Sequence, residues 1–156
     1  MSEPGEYTTK ARSSLNKLAE MLMANGKHVP LPIFKGGRSS DTLLDWINSV
    51  KATLSTLSEG YRAYCEGVEL DDDAFIGYIP TSFLDEEGNP GPEALELIHE
   101  TRARVMLQIR LRTHSLIYGQ CLVGEPRSIC DCREFRDHEK GLHGIVELLK
   151  LLRPIS

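Results

Sequence analysis

The chain has 156 residues and a mass of 17.5 kDa, with 40% apolar and 26% charged residues. That fits one globular domain with its own core, and it excludes a wholly disordered chain, a collagen-like repeat and a disulfide-stapled miniprotein. The net charge of −5 is unevenly spread: residues 1–62 carry 8 basic and 6 acidic groups, residues 63–101 carry 11 acidic and no basic groups, and residues 102–156 carry 10 basic and 6 acidic groups.

No apolar run approaches the roughly 18 residues of a membrane span. The opening Met1-Ser2-Glu3-Pro4-Gly5-Glu6 is polar and acidic, unlike a signal peptide. A cytoplasmic protein with no membrane partner is expected, with Cys65, Cys121, Cys130 and Cys132 as reduced thiols. An acidic chain is a poor non-specific binder of nucleic acid. Its charge asymmetry suits a solvated acidic loop region or a face that meets a complementary face.

The predicted fold is all-α: a compact bundle of about five to six helices with an extended Pro/Gly-containing strap after the first. Residues 1–27 form an N-terminal tail and helix, 28–125 a core lobe, and 126–156 a C-terminal helix serving as interface or linker. The first helix is expected from Thr9 to Ala24, with Leu15, Leu18 and Leu22 on one face, Thr8 or Thr9 as cap and Asn25-Gly26 as its end. In the strap His28–Gly37, two prolines and two glycines break any helix, yet Val29, Leu31, Ile33 and Phe34 call for cover.

The second helix is capped by Ser40 or Asp41 and carries Leu43, Ile47, Val50, Leu54 and Leu57 at spacings of 4 and 3, a core face with Trp46 on its edge. Residues 58–73 are weakly patterned. Asp71-Asp72-Asp73 fit the start of a helix through Ala74–Ile79, where the dipole favours acids, better than a metal site. Pro80 ends that helix, and residues 85–92 form a loop. Pro92 suits the first turn of a central helix reaching Tyr118 and ending at Gly119, with apolar residues on two sides. A last helix from Asp131 or Phe135 to Leu152 holds more apolar surface than one face needs, which points to burial or a partner.

No enzyme signature is visible, and no catalytic or cofactor-binding residue is assigned. Cys130, Cys132, His138 and His143 are four potential zinc ligands, but Cys-x-Cys is an unusual pair for zinc, and helical histidines five apart point about 140° apart. No metal site is therefore assigned. His138-Glu139-x3-His143 is one residue too long for the metalloprotease helix, which needs histidines at i and i+4. Gly36-Gly37-Arg38-Ser39-Ser40 lacks the strand and Lys-Ser/Thr of a phosphate loop. Arg102, Arg104, Arg110 and Arg112 scatter around the helix. Arg102 alone falls within the apolar stripe, where a cation needs an acidic partner, a polar lining or an interface.

The stretch Leu31-Pro32-Ile33-Phe34-Lys35-Gly36-Gly37, followed by Leu43-Leu44-Asp45-Trp46-Ile47-x2-Val50-x3-Leu54, resembles the Gag capsid domains of copia-type and gypsy-type long-terminal-repeat retrotransposons, or a domesticated Gag-like derivative. There, an apolar P-x-F-x-G strap precedes a helix with a central Trp. Thr101–Ile109 and Leu116 are similar to the Gag helix after a short acidic loop. The resemblance covers about residues 28–123. It implies a helical capsid lobe that self-assembles into shells without catalysis, with itself as partner. It implies contact with element RNA only through a segment not in this chain, since the family's C-x2-C-x4-H-x4-C knuckle is not matched.

The expected contact elements are the first helix, the last helix and the acidic 66–87 region, with Leu148, Leu151, Leu152 and Arg102 as contact residues. The alternative is a helical adaptor or scaffold that binds another protein through its apolar C-terminal helix. A third reading, a small metalloprotein, rests on the Cys130–His143 cluster.

Overall fold

The computed structural model describes residues 4–24, 27–34, 40–122 and 141–150. Among them it is all-α, with six helices: α1 Pro4–Met23, α2 Ser40–Ser55, α3 Glu59–Glu66, α4 Asp73–Ile76, α5 Pro92–Leu116 and α6 Gly141–Lys150. A 3-10 turn, Thr81–Phe83, follows α4, and a π-turn, Ile117–Cys121, continues α5. None of the described helices is long and apolar enough to cross a membrane.

Helix α5 is central, packing against α1, α3 and α6. Its buried residues Ala94, Leu97, Ile98, Val105 and Ile109 recur at helical spacing along one stripe, while Leu95, Met106, Leu107 and Leu111 outside it are half-buried, so the expected second apolar side is only partly covered. Pro92 sits in its first turn, where the missing N–H costs nothing. One apolar core runs from Ala11 on α1 to Leu149 on α6.

Helix α1 begins earlier than expected. Thr8 and Thr9 lie inside it rather than at its cap, and Pro4 supplies the start. Ala11, Leu15, Leu18, Ala19 and Leu22 are buried along one face. The helix ends at Ala24, a non-glycine residue in left-handed conformation (φ 49°). Two side chains hold the carbonyls at and just beyond its end. The Ser58 hydroxyl donates to Leu22 O (2.5 Å), and the Arg112 guanidinium donates to Met23 O (2.9 Å), Ala24 O (2.8 Å) and Lys27 O (2.9 Å). Lys27 in turn reaches Leu57 O (3.0 Å). A lysine cannot span three carbonyls with a planar fork. Arg112→Lys should therefore destabilise the fold by about 1–2 kcal/mol in urea titrations, whereas a loss near zero would mean that water serves the α1 terminus equally well.

The strap packs onto the helical body. Val29, Leu31 and Phe34 are buried. Phe34 packs against Trp46 in a tilted ring pair, 5.0 Å between centroids and 41° between planes, and the Trp46 indole N–H donates to Pro32 O (2.8 Å). On its other side, Phe34 N–H donates to Cys121 O (2.8 Å) and Leu31 N–H to the Gln120 side chain (3.3 Å), which laces the strap to the π-turn. Ile33 departs from expectation at 51% exposed. Residues 29 and 31 face inward with the strand period of two, and the next inward position is then taken by Phe34. Gly119 does not end the central helix, because the chain widens into the π-turn through it.

Helix α3 falls where the pattern was weak. Ser58 caps it, accepting from Tyr61 N–H (3.3 Å), and Gly67 closes it in left-handed conformation (φ 72°) with its N–H on Ala63 O and Tyr64 O. Helix α4 ends at Ile76, short of Pro80. The expected break at 124–126, the Asn25-Gly26 cap, the turn at 36–39 and residues 131–140 of the last helix lie outside the described residues.

Candidate docking groove

Three helices leave one half-open apolar groove of about 550 Å³ between them. Helix α2 contributes Leu43, Leu44, Ile47 and Lys51. The C-terminal end of α3 contributes Tyr64, Cys65, Glu66 and Gly67, and α6 contributes Leu142, His143 and Val146. The spacing explains the arrangement: positions i, i+4 and i+8 of α2 and i, i+4 of α6 lie on one side of their helices.

Tyr64 joins two of the walls. Its hydroxyl accepts from Leu142 N–H (2.9 Å), serving an otherwise unpaired donor in the first turn of α6. Gly141 is required beside it, since a Cβ there would meet the Tyr64 hydroxyl at 2.5 Å and Arg110 O at 2.9 Å.

The groove floor is apolar, with Leu43 and Leu142 buried, while Leu44 stands on the lip at 54% exposed. On the rim, Glu66 is bound by Arg62 (2.6 Å), whereas Lys51 pairs with no carboxylate among the described residues. Burial pushes the Cys65 thiol up, so this wall offers a poor nucleophile. The arrangement suits burial of an apolar partner surface beside a positive edge.

Burial also raises the Tyr61 and Tyr64 phenols, and it pushes the fully buried Cys121 thiol from 9.0 up to about 12. Each group keeps its proton longer when folded than when unfolded. The stability it contributes is therefore intact below pH 9.0 and is lost as pH rises toward about 12. Thermal midpoints should be flat through neutrality and fall above pH 9.0, and Cys121→Ala should make that fall shallower. An unchanged slope in the variant would count against the thiol.

Arg102 finds its acidic partner within the chain: it donates to Asp72 Oδ1 (2.5 Å) and to Leu70 O (3.0 Å). Of the alternatives open for that cation, the acidic partner is the one present. Asp72 accordingly does not cap α4 with its side chain, which corrects the capping assignment for this residue, while Asp73 remains in the first turn. Arg12 pairs with Glu100 (3.1 Å), and Arg104 donates to Asn16 (2.6 Å).

Leu148 lies on α6, and Leu151 and Leu152 lie outside the described residues. So do Cys130, Cys132 and His138 of the cluster weighed for zinc and not assigned, while His143 lies on the groove. Among the described residues no group of three or more His, Cys, Asp or Glu is placed to hold a metal ion.

Lys51, Tyr64 and Cys65 escaped sequence reasoning as site residues. Ser58 and Gly67, bracketing eight residues, were the local signal for α3. The meeting of α3 with α2 and α6 has no local signature.

No protein-family model matches the sequence, and comparisons with curated proteins and with solved structures return no match.

Proposed function

We propose that this chain is a structural Gag-like capsid protein that works by self-association rather than catalysis, with other copies of itself as principal partner. The observation that carries the reading is the strap unit. The residues on which the resemblance rests, Leu31–Phe34 and Trp46, are packed together by a ring contact and the indole hydrogen bond to Pro32. The groove beside that unit supplies an apolar surface of the kind that oligomers cover. RNA, on this reading, is reached only through a segment outside this chain.

The test is a surface substitution on the groove lip. Leu44→Lys removes an exposed apolar contact without touching the core. Sedimentation velocity should show self-association weakened at least tenfold, about 1.4 kcal/mol, with an unchanged circular dichroism spectrum. Equal association of variant and wild type would move the interface elsewhere.

The adaptor reading uses the same groove, which takes in Val146 of the C-terminal helix. It would be favoured by a single stoichiometric heterologous partner captured by wild type, lost in Leu44→Lys, in a protein that does not associate with itself.

A further inference from the structure

The groove has a counterpart elsewhere on the molecule. Met21 near the end of α1 is 62% exposed and Tyr78 beyond α4 is 37% exposed, both large apolar side chains left open to solvent. They touch each other, with the Tyr78 hydroxyl 3.9 Å from Met21 Sδ, and so form one projecting pair contributed by two segments. Neither residue lines the groove.

We infer that the Met21–Tyr78 pair of one copy seats in the α2–α3–α6 groove of the next, giving a head-to-tail contact between copies. This deepens the self-association reading and rests on it. A tyrosine brings roughly 150–250 Å² of rigid surface to such a contact, and tyrosine is enriched among the residues that dominate interfaces. The methionine supplies an adaptable neighbour for an irregular pocket.

Charge fixes the direction. Tyr78 belongs to the stretch 63–101, which carries eleven carboxylates and no Lys or Arg, with Asp71 and Asp73 exposed just before it. The groove rim presents Lys51 without a carboxylate partner among the described residues, and its own Glu66 is already bound by Arg62. Groove against groove would set Lys51 against Lys51, whereas groove against the Tyr78 segment sets it against acids. A knob and a socket on different surfaces of one chain make a heterologous contact. Such contacts build rings where the rotation closes and extended arrays where it does not, rather than stopping at a dimer.

Site-directed crosslinking tests the contact. In a Cys65→Ser, Cys130→Ser, Cys132→Ser background, one population carries Leu44→Cys on the groove lip and another Gly77→Cys, which leaves Met21 and Tyr78 in place; Leu44 is exposed and a Cβ at Gly77 meets nothing within 4 Å, so the fold is retained. Mild oxidation of the mixture should give a disulfide-linked heterodimer at least tenfold above either population alone, and its yield should fall as salt is raised. Crosslinking of the Leu44→Cys population with itself, or no crosslink while wild-type mass grows with concentration, would overturn this contact and leave self-association standing. A wild-type protein that stays monomeric at every concentration would overturn both.

Discussion

Trp46→Ala is expected to cost about 3–5 kcal/mol, the range for deleting a large buried aromatic. Trp46 is 6% exposed, its ring packs at a tilt against Phe34, and its indole N–H holds Pro32 O. Its removal leaves a cavity under the strap and takes away the strap's side-chain hydrogen bond to α2 in the same step. For a chain of this length, a midpoint falls roughly 2–4 °C per kcal/mol, so a drop of roughly 6–20 °C is expected by circular dichroism. Trp46→Phe keeps most of the ring contact and loses the donor, and should cost much less, nearer 1–2 kcal/mol. Because Trp46 is the only tryptophan, wild-type fluorescence reports the strap directly. A loss below 1 kcal/mol for the alanine variant would mean that the strap is held mainly by Val29, Leu31 and its bonds to the π-turn.

The second large effect has a sign that local reasoning gets wrong. Gly60 lies inside α3, where alanine is ordinarily more stable than glycine by about 1 kcal/mol. Here a Cβ would stand 2.6 Å from Leu22 O and 2.9 Å from Ile109 Cδ1. The isoleucine methyl can turn away. The carbonyl cannot, since it belongs to the α1 backbone and is also held by the Ser58 hydroxyl (2.5 Å). Alpha1 and α3 must therefore separate, with loss of packing on both, and Gly60→Ala should destabilise by about 1–3 kcal/mol. Gly60→Val should cost more. Urea titration of the alanine variant checks the sign, and stabilisation would show that the α1–α3 crossing has room to spare.

Much of the fold was legible because its signals are local. The aliphatic stripe of α2 and Pro92 at the head of α5 follow from local pattern, and the structure places them accordingly, whereas α5 is fully buried along one stripe and only half-buried at Leu107 and Leu111. The strap was legible as a packed segment because prolines exclude helix while its apolar residues require cover. The misses have physical reasons. Pro4 marked the true head of α1, but its polar surroundings read as a tail. Eight residues of α3 are too few for a periodic signal, and only the Ser58 cap and Gly67 closure marked them. The arginine angles were readable, but their partners were not. Arg112 meets carbonyls 85 or more residues away, and Arg102 meets Asp72 from another element. The groove was the least legible part, because it exists only where α2, α3 and α6 come together.

Self-association is the central claim, and light scattering of the wild-type chain across concentration and salt, with negative-stain images of the same samples, tests it most directly. The mass should rise above 17.5 kDa with concentration, fall back as salt increases, and be accompanied by rings, arrays or shells. A constant 17.5 kDa up to millimolar concentration, with featureless images, would contradict it.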